Sequence, residues 1–428
     1  MCQGCVPEYF EFKQSPAPLP QNWLNSRFLT QATDEKDKDT GTDSFEYRVA
    51  RDAPCPIIDA HVHVFPQKLM EAVWTFFDNF YWPVRYKKNY LATRADFLLD
   101  QGVRHVVLLV YAHKNGIARD LNKFLAHTVN SMNERYASLP QPNGQPKRGV
   151  RVASGLATVM PGEPDARAIL AEAFTTLGLS GIKMHSHVQC VAANHPSMDE
   201  VYETCIEFDK PVLIHAGKEP NSKAYKVDAG KICDFSIVED VLRRYPRLRI
   251  CIPHLGMNQY EEFFDLLDKY PNLYLDTTMT LGAFFQSLNS LSPSTTTTIT
   301  TSSCSPSTCD HTTHTTNNKN NNTSTTPTLK PMAEMLRTML LRHSDRILYG
   351  TDWPNIPYDW CRELANLVSL VDGDGEATAA VGERVRKEEQ RTKETDKALE
   401  NILWRNASRF YRISEHDLGL TPPLSSNL

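Results

Sequence analysis

The chain has no long apolar run. None of its hydrophobic stretches approaches the roughly 20 residues that a membrane-spanning helix needs, so no span is expected. Positive charge is not in surplus either. The formal net charge over 428 residues is -5, which gives no electrostatic case for nucleic acid or an anionic membrane as partner. The start, Met1-Cys2-Gln3-Gly4-Cys5, lacks a basic segment followed by an apolar core, and no glycine follows Met1. Neither a secretory signal nor a myristoyl anchor is expected. The 10 cysteines show no organised spacing and fall in strand-like and helix-like segments. They read as reduced thiols in a cytoplasmic protein. A glycine-rich phosphate loop after the first strand is also missing, which counts against an open, doubly wound nucleotide-binding sheet.

What is present is an alternation. Strand-like apolar runs occur at 57–64, 103–110, 150–159, 181–185, 211–215, 248–254, 273–277 and 346–351. Between them, 164–177, 198–208, 235–244, 261–269 and 332–342 carry apolar residues at helical spacing. Strands alternating with helices imply parallel βαβ units, and eight such units predict a (β/α)8 TIM barrel.

Segments outside this rhythm divide the chain. Residues 1–53 are an N-terminal extension with a charge block at 34–39 and a proline-rich stretch around Trp23. Residues 54–285 form the first part of the barrel. Residues 286–330 are a Ser/Thr/Asn-rich, low-complexity insertion after strand seven, too poor in apolar surface to order itself. Cys304, Cys309, His311 and His314 within it reflect composition, because the Cys309–His311 gap is too short for a zinc finger. Residues 331–413 complete the barrel, with a charged insertion at 372–396, a closing helix at 398–410 and a tail at 414–428.

Polar residues gather where the strands end, the face on which a barrel keeps its active site. Strand one ends in Asp59-Ala60-His61-Val62-His63. Alternation puts His61 and His63 on one face, together with Asp59. Strand four ends Gly181-Ile182-Lys183-Met184-His185, strand five His215-Ala216-Gly217, strand six His254-Leu255-Gly256, and strand eight Gly350-Thr351-Asp352-Trp353-Pro354. A single strand-end histidine is more often a hydrogen-bonded structural residue. Five such signals at the matching end of five strands call for a common cause. Imidazoles with a carboxylate suit a divalent metal, zinc above all, and a metal-held water has its pKa lowered toward 7. Asp352 can both ligate and accept a proton.

These motifs, in this order, together with the closing Leu399-Glu400-Asn401-Ile402-Leu403-Trp404-Arg405-Asn406-Ala407, resemble the amidohydrolase superfamily. The similarity is greatest to the amidohydrolase-related branch that includes aminocarboxymuconate-semialdehyde decarboxylase. The resemblance implies that His61, His63, His215 and Asp352 bind one catalytic metal and that His254 is the acid/base or polarising residue. It leaves Lys183, His185, Asp59 and Arg85 as candidates for a supporting or substrate-binding role. Asp59 would orient a ligand imidazole. Lys183 would bridge a second metal if it were carboxylated. The implied partner is a small-molecule substrate, with a carboxylate group and a homodimer both left open. The implied reaction is hydrolysis of an amide, lactone or ester by metal-activated water. The alternatives are nonoxidative decarboxylation of a small unsaturated or aromatic acid, and an inactive barrel used as a binding scaffold.

Overall fold

The computed structural model describes residues 28–31, 47–50, 52–87, 96–139, 150–218, 225–282, 329–373 and 393–420. Most of the N-terminal extension, nearly all of the Ser/Thr/Asn-rich insertion and the middle of the charged insertion lie outside them. Eight strands form one parallel sheet: β1 (Ile58–His63), β2 (His105–Leu109), β3 (Ala153–Ala157), β4 (Gly181–His185), β5 (Val212–His215), β6 (Ile250–Ile252), β7 (Leu273–Asp276) and β8 (Ile347–Leu348). They neighbour one another in chain order from β1 to β8. Closure comes from the segment just after β8. Ala60 donates its N–H to Tyr349 O (2.9 Å), Asp352 to His61 O (3.0 Å) and His63 to Trp353 O (2.8 Å). This is the expected TIM barrel.

A helix follows every strand: α1 (Gln67–Phe80), α2 (Ala118–Ser138), α3 (Ala166–Thr175), α4 (Asp199–Glu207), α5 (Phe235–Arg244), α6 (Tyr260–Lys269), α7 (Leu329–Arg342) and α8 (Cys361–Asp372). Helix α2 shows why such segments are helical. Leu121, Leu125, Val129 and Met132 recur every three or four residues and are buried, which makes a stripe that must face the sheet. No helix among the described residues is long and apolar enough to cross a membrane.

Strand alternation splits the core in two. Val106, Leu108, Ile182, Ile214, Ile250 and Leu275 pack outward with the helices. Ile58, Ala60, Val107, Leu109, Leu156, Leu213, Cys251 and Leu348 form a separate inner cluster, with Trp404, Ala407, Phe410 and Tyr411 among them. The closing helix thus plugs one end of the barrel. It is helical from 393, passes through a π-helical turn at Asn401–Arg405 and continues as Asn406–Tyr411. Buried Asn406 ties it to β8, donating to Ile347 O (2.7 Å) and Ser344 O (2.7 Å). A short antiparallel ribbon, Leu29–Gln31 with Tyr47–Val49, is attached to the body where Val49 N–H meets Gln101 O (2.8 Å).

Candidate functional site

Opposite the plug, the strand ends carry polar side chains. His61, His63 and Asp352 converge there, all buried. His61 Nε2 lies 3.3 Å from His63 Nε2 and 3.3 Å from Asp352 Oδ1, and His63 Nε2 is 2.9 Å from the same oxygen. Two donors held about 2.1 Å from a tetrahedral metal ion stand roughly 3.4 Å apart, so the spacing fits a shared ion. Asp352 Oδ1 makes no well-oriented hydrogen bond despite these close approaches. That is the situation of an oxygen shaped for a cation rather than for a proton donor. Burial lowers the pKa of both imidazoles and keeps them neutral, as ligation requires; Lys183 adds to this, while Asp352 opposes it. Burial pushes the Asp352 carboxyl up, and positive charge on His63 or His61 would outweigh it and pull the group below the usual carboxylate range. These three residues could hold a divalent metal.

The partner of the His61 ring is one the sequence did not single out. Asp276, at the end of β7, accepts from His61 Nδ1 at 2.9 Å. This fixes the proton on Nδ1 and leaves Nε2 as a lone pair facing Asp352 and His63. The other oxygen of Asp276 accepts from the His254 N–H (3.1 Å) and the Thr278 hydroxyl (2.5 Å). One carboxylate therefore connects the ends of β1, β6 and β7. Its signal was present in Asp276-Thr277-Thr278, a polar step at the end of an apolar strand like the other five.

Asp59 does something other than what alternation suggested. The β1–β2 register shifts between Asp59 and Val62, and such an irregularity interrupts the rule that residues two apart share a face. Asp59 instead accepts from the Thr351 hydroxyl (2.6 Å) and N–H (3.1 Å) and from the His61 N–H (3.2 Å). It fastens the Gly-Thr-Asp segment to β1, and burial outweighs these bonds to push its carboxyl up to about 7.

His254 stands beside the three, its ring centroid 6.0 Å from that of His61. Nδ1 lies 2.9 Å from Thr278 O. A carbonyl only accepts, so Nδ1 carries the proton and Nε2 is free to exchange one. His254 and Asp352 both have left-handed backbones, with φ of 59° and 67°. For non-glycine residues this costs on the order of 1–3 kcal/mol and persists where the surroundings dictate it. The motif glycines have a steric origin. A Cβ on Gly350 would lie 3.0 Å from His61 Cβ and 2.8 Å from Thr278 Cγ2. One on Gly217 would lie 2.4 Å from Gly256 O, because the loops after β5 and β6 touch.

Lys183 is fully buried with Nζ 3.3 Å from His61 Nε2, and burial lowers its ammonium to about 8. The His215 ring stands next to that of His254, with centroids 4.9 Å apart. It stacks on His185 and joins His187, a residue of the one-turn helix Ser186–Gln189 that the sequence did not single out. Tyr111 bridges the two histidine groups, edge-on to both His63 and His185. Arg85 is paired with Asp359 at 2.8 Å, and Lys218 with Asp234 at 2.5 Å.

Comparison with curated proteins gave no match. Among solved structures the chain is similar to 5-carboxyvanillate decarboxylase from Novosphingobium aromaticivorans complexed with manganese and 4-hydroxy-3-methoxy-5-nitrobenzoic acid (12% identity, 84% of this chain and 96% of that one, TM-score 0.45). It is similar also to a probable 2-pyrone-4,6-dicarboxylic acid hydrolase from Acinetobacter baumannii (14%, 83% and 99%, TM-score 0.43). A third is 4-oxalomesaconate hydratase from Rhodopseudomonas palustris (14%, 83% and 95%, TM-score 0.41). A family model described as amidohydrolase matches residues 58–413, from the first residue of β1 to two residues past the closing helix. The chain belongs to the amidohydrolase family.

Proposed function

We propose that the protein is a metal-dependent hydrolase, in which activated water attacks the amide, lactone or ester carbonyl of a small molecule. The observation that carries this reading is the convergence of His61 Nε2, His63 Nε2 and Asp352 Oδ1 within 3.3 Å, next to His254. A divalent ion held there, zinc for this donor set, supplies Lewis acidity and lowers the pKa of water toward 7. Asp276 orients His61. Asp352 has a second oxygen with which to take a proton from the attacking water and pass it to the leaving group. His254, anchored at Nδ1, polarises the carbonyl oxygen through Nε2 when protonated. Three protein ligands leave positions open for water and substrate, as catalytic sites require.

A second reading, nonoxidative decarboxylation, is favoured by Lys183. A fully buried lysine with Nζ 3.3 Å from His61 Nε2 suits a substrate that brings its own carboxylate, since a buried ammonium is costly to leave under-compensated. In that reaction the carbon–carboxylate bond breaks, His254 delivers a proton to the carbon and CO2 leaves.

The test is a panel of lactones, esters and amides followed by acid release, set against carboxylated muconate and benzoate analogues followed by CO2 release. Acid release from the first set supports the hydrolase. CO2 from the second set alone moves the assignment to the carboxy-lyase. Sub-stoichiometric metal that is unchanged by His61→Ala plus His63→Ala, with both panels silent, sinks both and leaves a binding scaffold.

A further inference from the structure

The connection from β5 to α5 is tied at its neck. Gly217 N–H donates to Cys233 O (2.7 Å), and Lys218 pairs with Asp234 (2.5 Å). Buried Gln259 joins the two sides, its Oε1 accepting from the N–H groups of Lys218 (3.2 Å) and Phe235 (3.1 Å). A loop closed in this way stands on the face of the barrel that carries the site. Its short helix Ala229–Ile232 packs on the one-turn helix Ser186–Gln189 that follows β4. The same loop lays Tyr225 over the buried His187, with ring centroids 4.8 Å apart and planes 28° from parallel. Tyr225 also meets Phe76 of α1 at 5.6 Å. Rings therefore follow one another from the strand ends to α1. His61 is 6.0 Å from His254, His254 4.9 Å from His215, and His215 4.7 Å from His187, before Tyr225 and Phe76. Centroid spacings of about 4.5–7 Å are those of rings in contact.

We propose that Tyr225, braced by Phe76, sets the size of the substrate group that fits beside His187. The inference rests on the small-molecule enzyme reading above and adds which wall of the site selects. Contacting rings present a continuous surface, so a substrate group on this side lies along ring faces and stops at Tyr225. A short or flat group fits there; a branched one collides with the phenol ring. Tyr225 is held between His187 and Phe76, on a loop whose neck is bonded, so it yields little to a bulky group. A firm apolar wall discriminates by volume, and a methylene more or less changes kcat/KM by about 10–200-fold. His254 is three rings further along the series, so the size rule is separable from the chemistry. Exclusion by volume needs the ring and not the hydroxyl.

The test takes whichever panel member the full-length wild type turns over and enlarges its substituents, one position at a time, from methyl to isopropyl to tert-butyl. In the wild type, kcat/KM is expected to fall along the series at the position that faces Tyr225. There the tert-butyl to methyl ratio should rise about tenfold or more in Tyr225→Ala, rise less in Phe76→Ala, and stay at the wild-type value in Tyr225→Phe. A ratio unchanged at every position in both alanine variants, each with wild-type circular dichroism, overturns the proposal and leaves the reading of function standing. A wild type silent on both panels overturns both. A second readout needs no turnover. Diethyl pyrocarbonate acylates exposed imidazoles, and peptide mass spectrometry locates the label. His187 is expected to be protected in the wild type and labelled in Tyr225→Ala and Tyr225→Leu. Equal labelling of His187 in all three overturns the proposal, because Tyr225 would then not be the wall on that side.

Discussion

Strand β5 turns Leu213 into the barrel and, two residues later, His215; β1 carries Ile58 and Ala60 at its start and His61 and His63 at its end. The same strands thus build two unlike interiors. At the plugged end, Leu213, Leu348, Cys251 and Val107 pack with Trp404 and Phe410. At the other, buried histidines, carboxylates and Lys183 crowd together. Apolar packing is satisfied by shape and volume, whereas buried polar groups need specific partners. The plugged end should therefore set stability and the polar end chemistry, the division expected of this architecture.

That division can be broken by experiment. The largest effect is expected from His61→Ala plus His63→Ala: a loss of about a thousand-fold or more in kcat/KM, about 4 kcal/mol or more of transition-state stabilisation. Thermal unfolding of the stripped protein should be little changed. A matching collapse in stability would show that the polar end also holds the fold. At the other end, Phe410→Ala empties a fully buried site and should cost about 3–5 kcal/mol in urea unfolding. The protein that remains folded in the cold should keep its turnover, and a kcat loss without a stability loss would refute the division.

Smaller changes sharpen the same contrast. Asp276→Asn keeps the shape but weakens the hold on His61 Nδ1, and zinc affinity by competition titration should fall roughly 10–100-fold. An unchanged affinity would mean that Asp276 serves only the backbone of His254. The smallest effect concerns a buried acid outside the chemistry. Glu363 on α8 accepts from Tyr358 Oη (2.6 Å) and Gly282 N–H (2.9 Å), yet burial outweighs these bonds and pushes it up to about 8. Its folded pKa is above the unfolded value of about 4.3. The stability it contributes is fully present below that value and is lost as pH rises toward 8. Urea midpoints at pH 5.5 and 8 should show wild type declining more than Glu363→Gln, by on the order of 2 kcal/mol. Equal declines would remove Glu363 from the account.

Much of this molecule could be read from the chain. The eight strands were legible because buried parallel strands are uninterrupted apolar runs, and β4 and α5 match the expected bounds to the residue. The strand-end histidines stood out because polar residues there interrupt a pattern. What escaped has physical reasons. The bonds of Asp59 to Thr351 and the His61 N–H are not legible from alternation, because the register shift between Asp59 and Val62 is a feature of strand pairing. His187 sits in a one-turn helix, too short for any periodicity. Asp276 contacts residues on two other strands, and such contacts exist only once the barrel has closed. The pairing of Arg85 with Asp359 was hidden for the same reason. Helix α2, by contrast, was readable from Leu121, Leu125, Val129 and Met132 and was not anticipated.

The closure of the barrel bears on when the site comes into being. Asp352 reaches His61 and His63 on the segment whose N–H bonds His61 O, and Asp59 grips Thr351 across 292 residues of sequence. A nascent chain that has emerged only as far as β7 holds the two histidines and Asp276 but has neither Asp352 nor the last wall. Assembly of the site and completion of the barrel are then one cooperative event. Partly synthesised or partly unfolded chains would be chemically silent, and ligand binding would report that folding is complete.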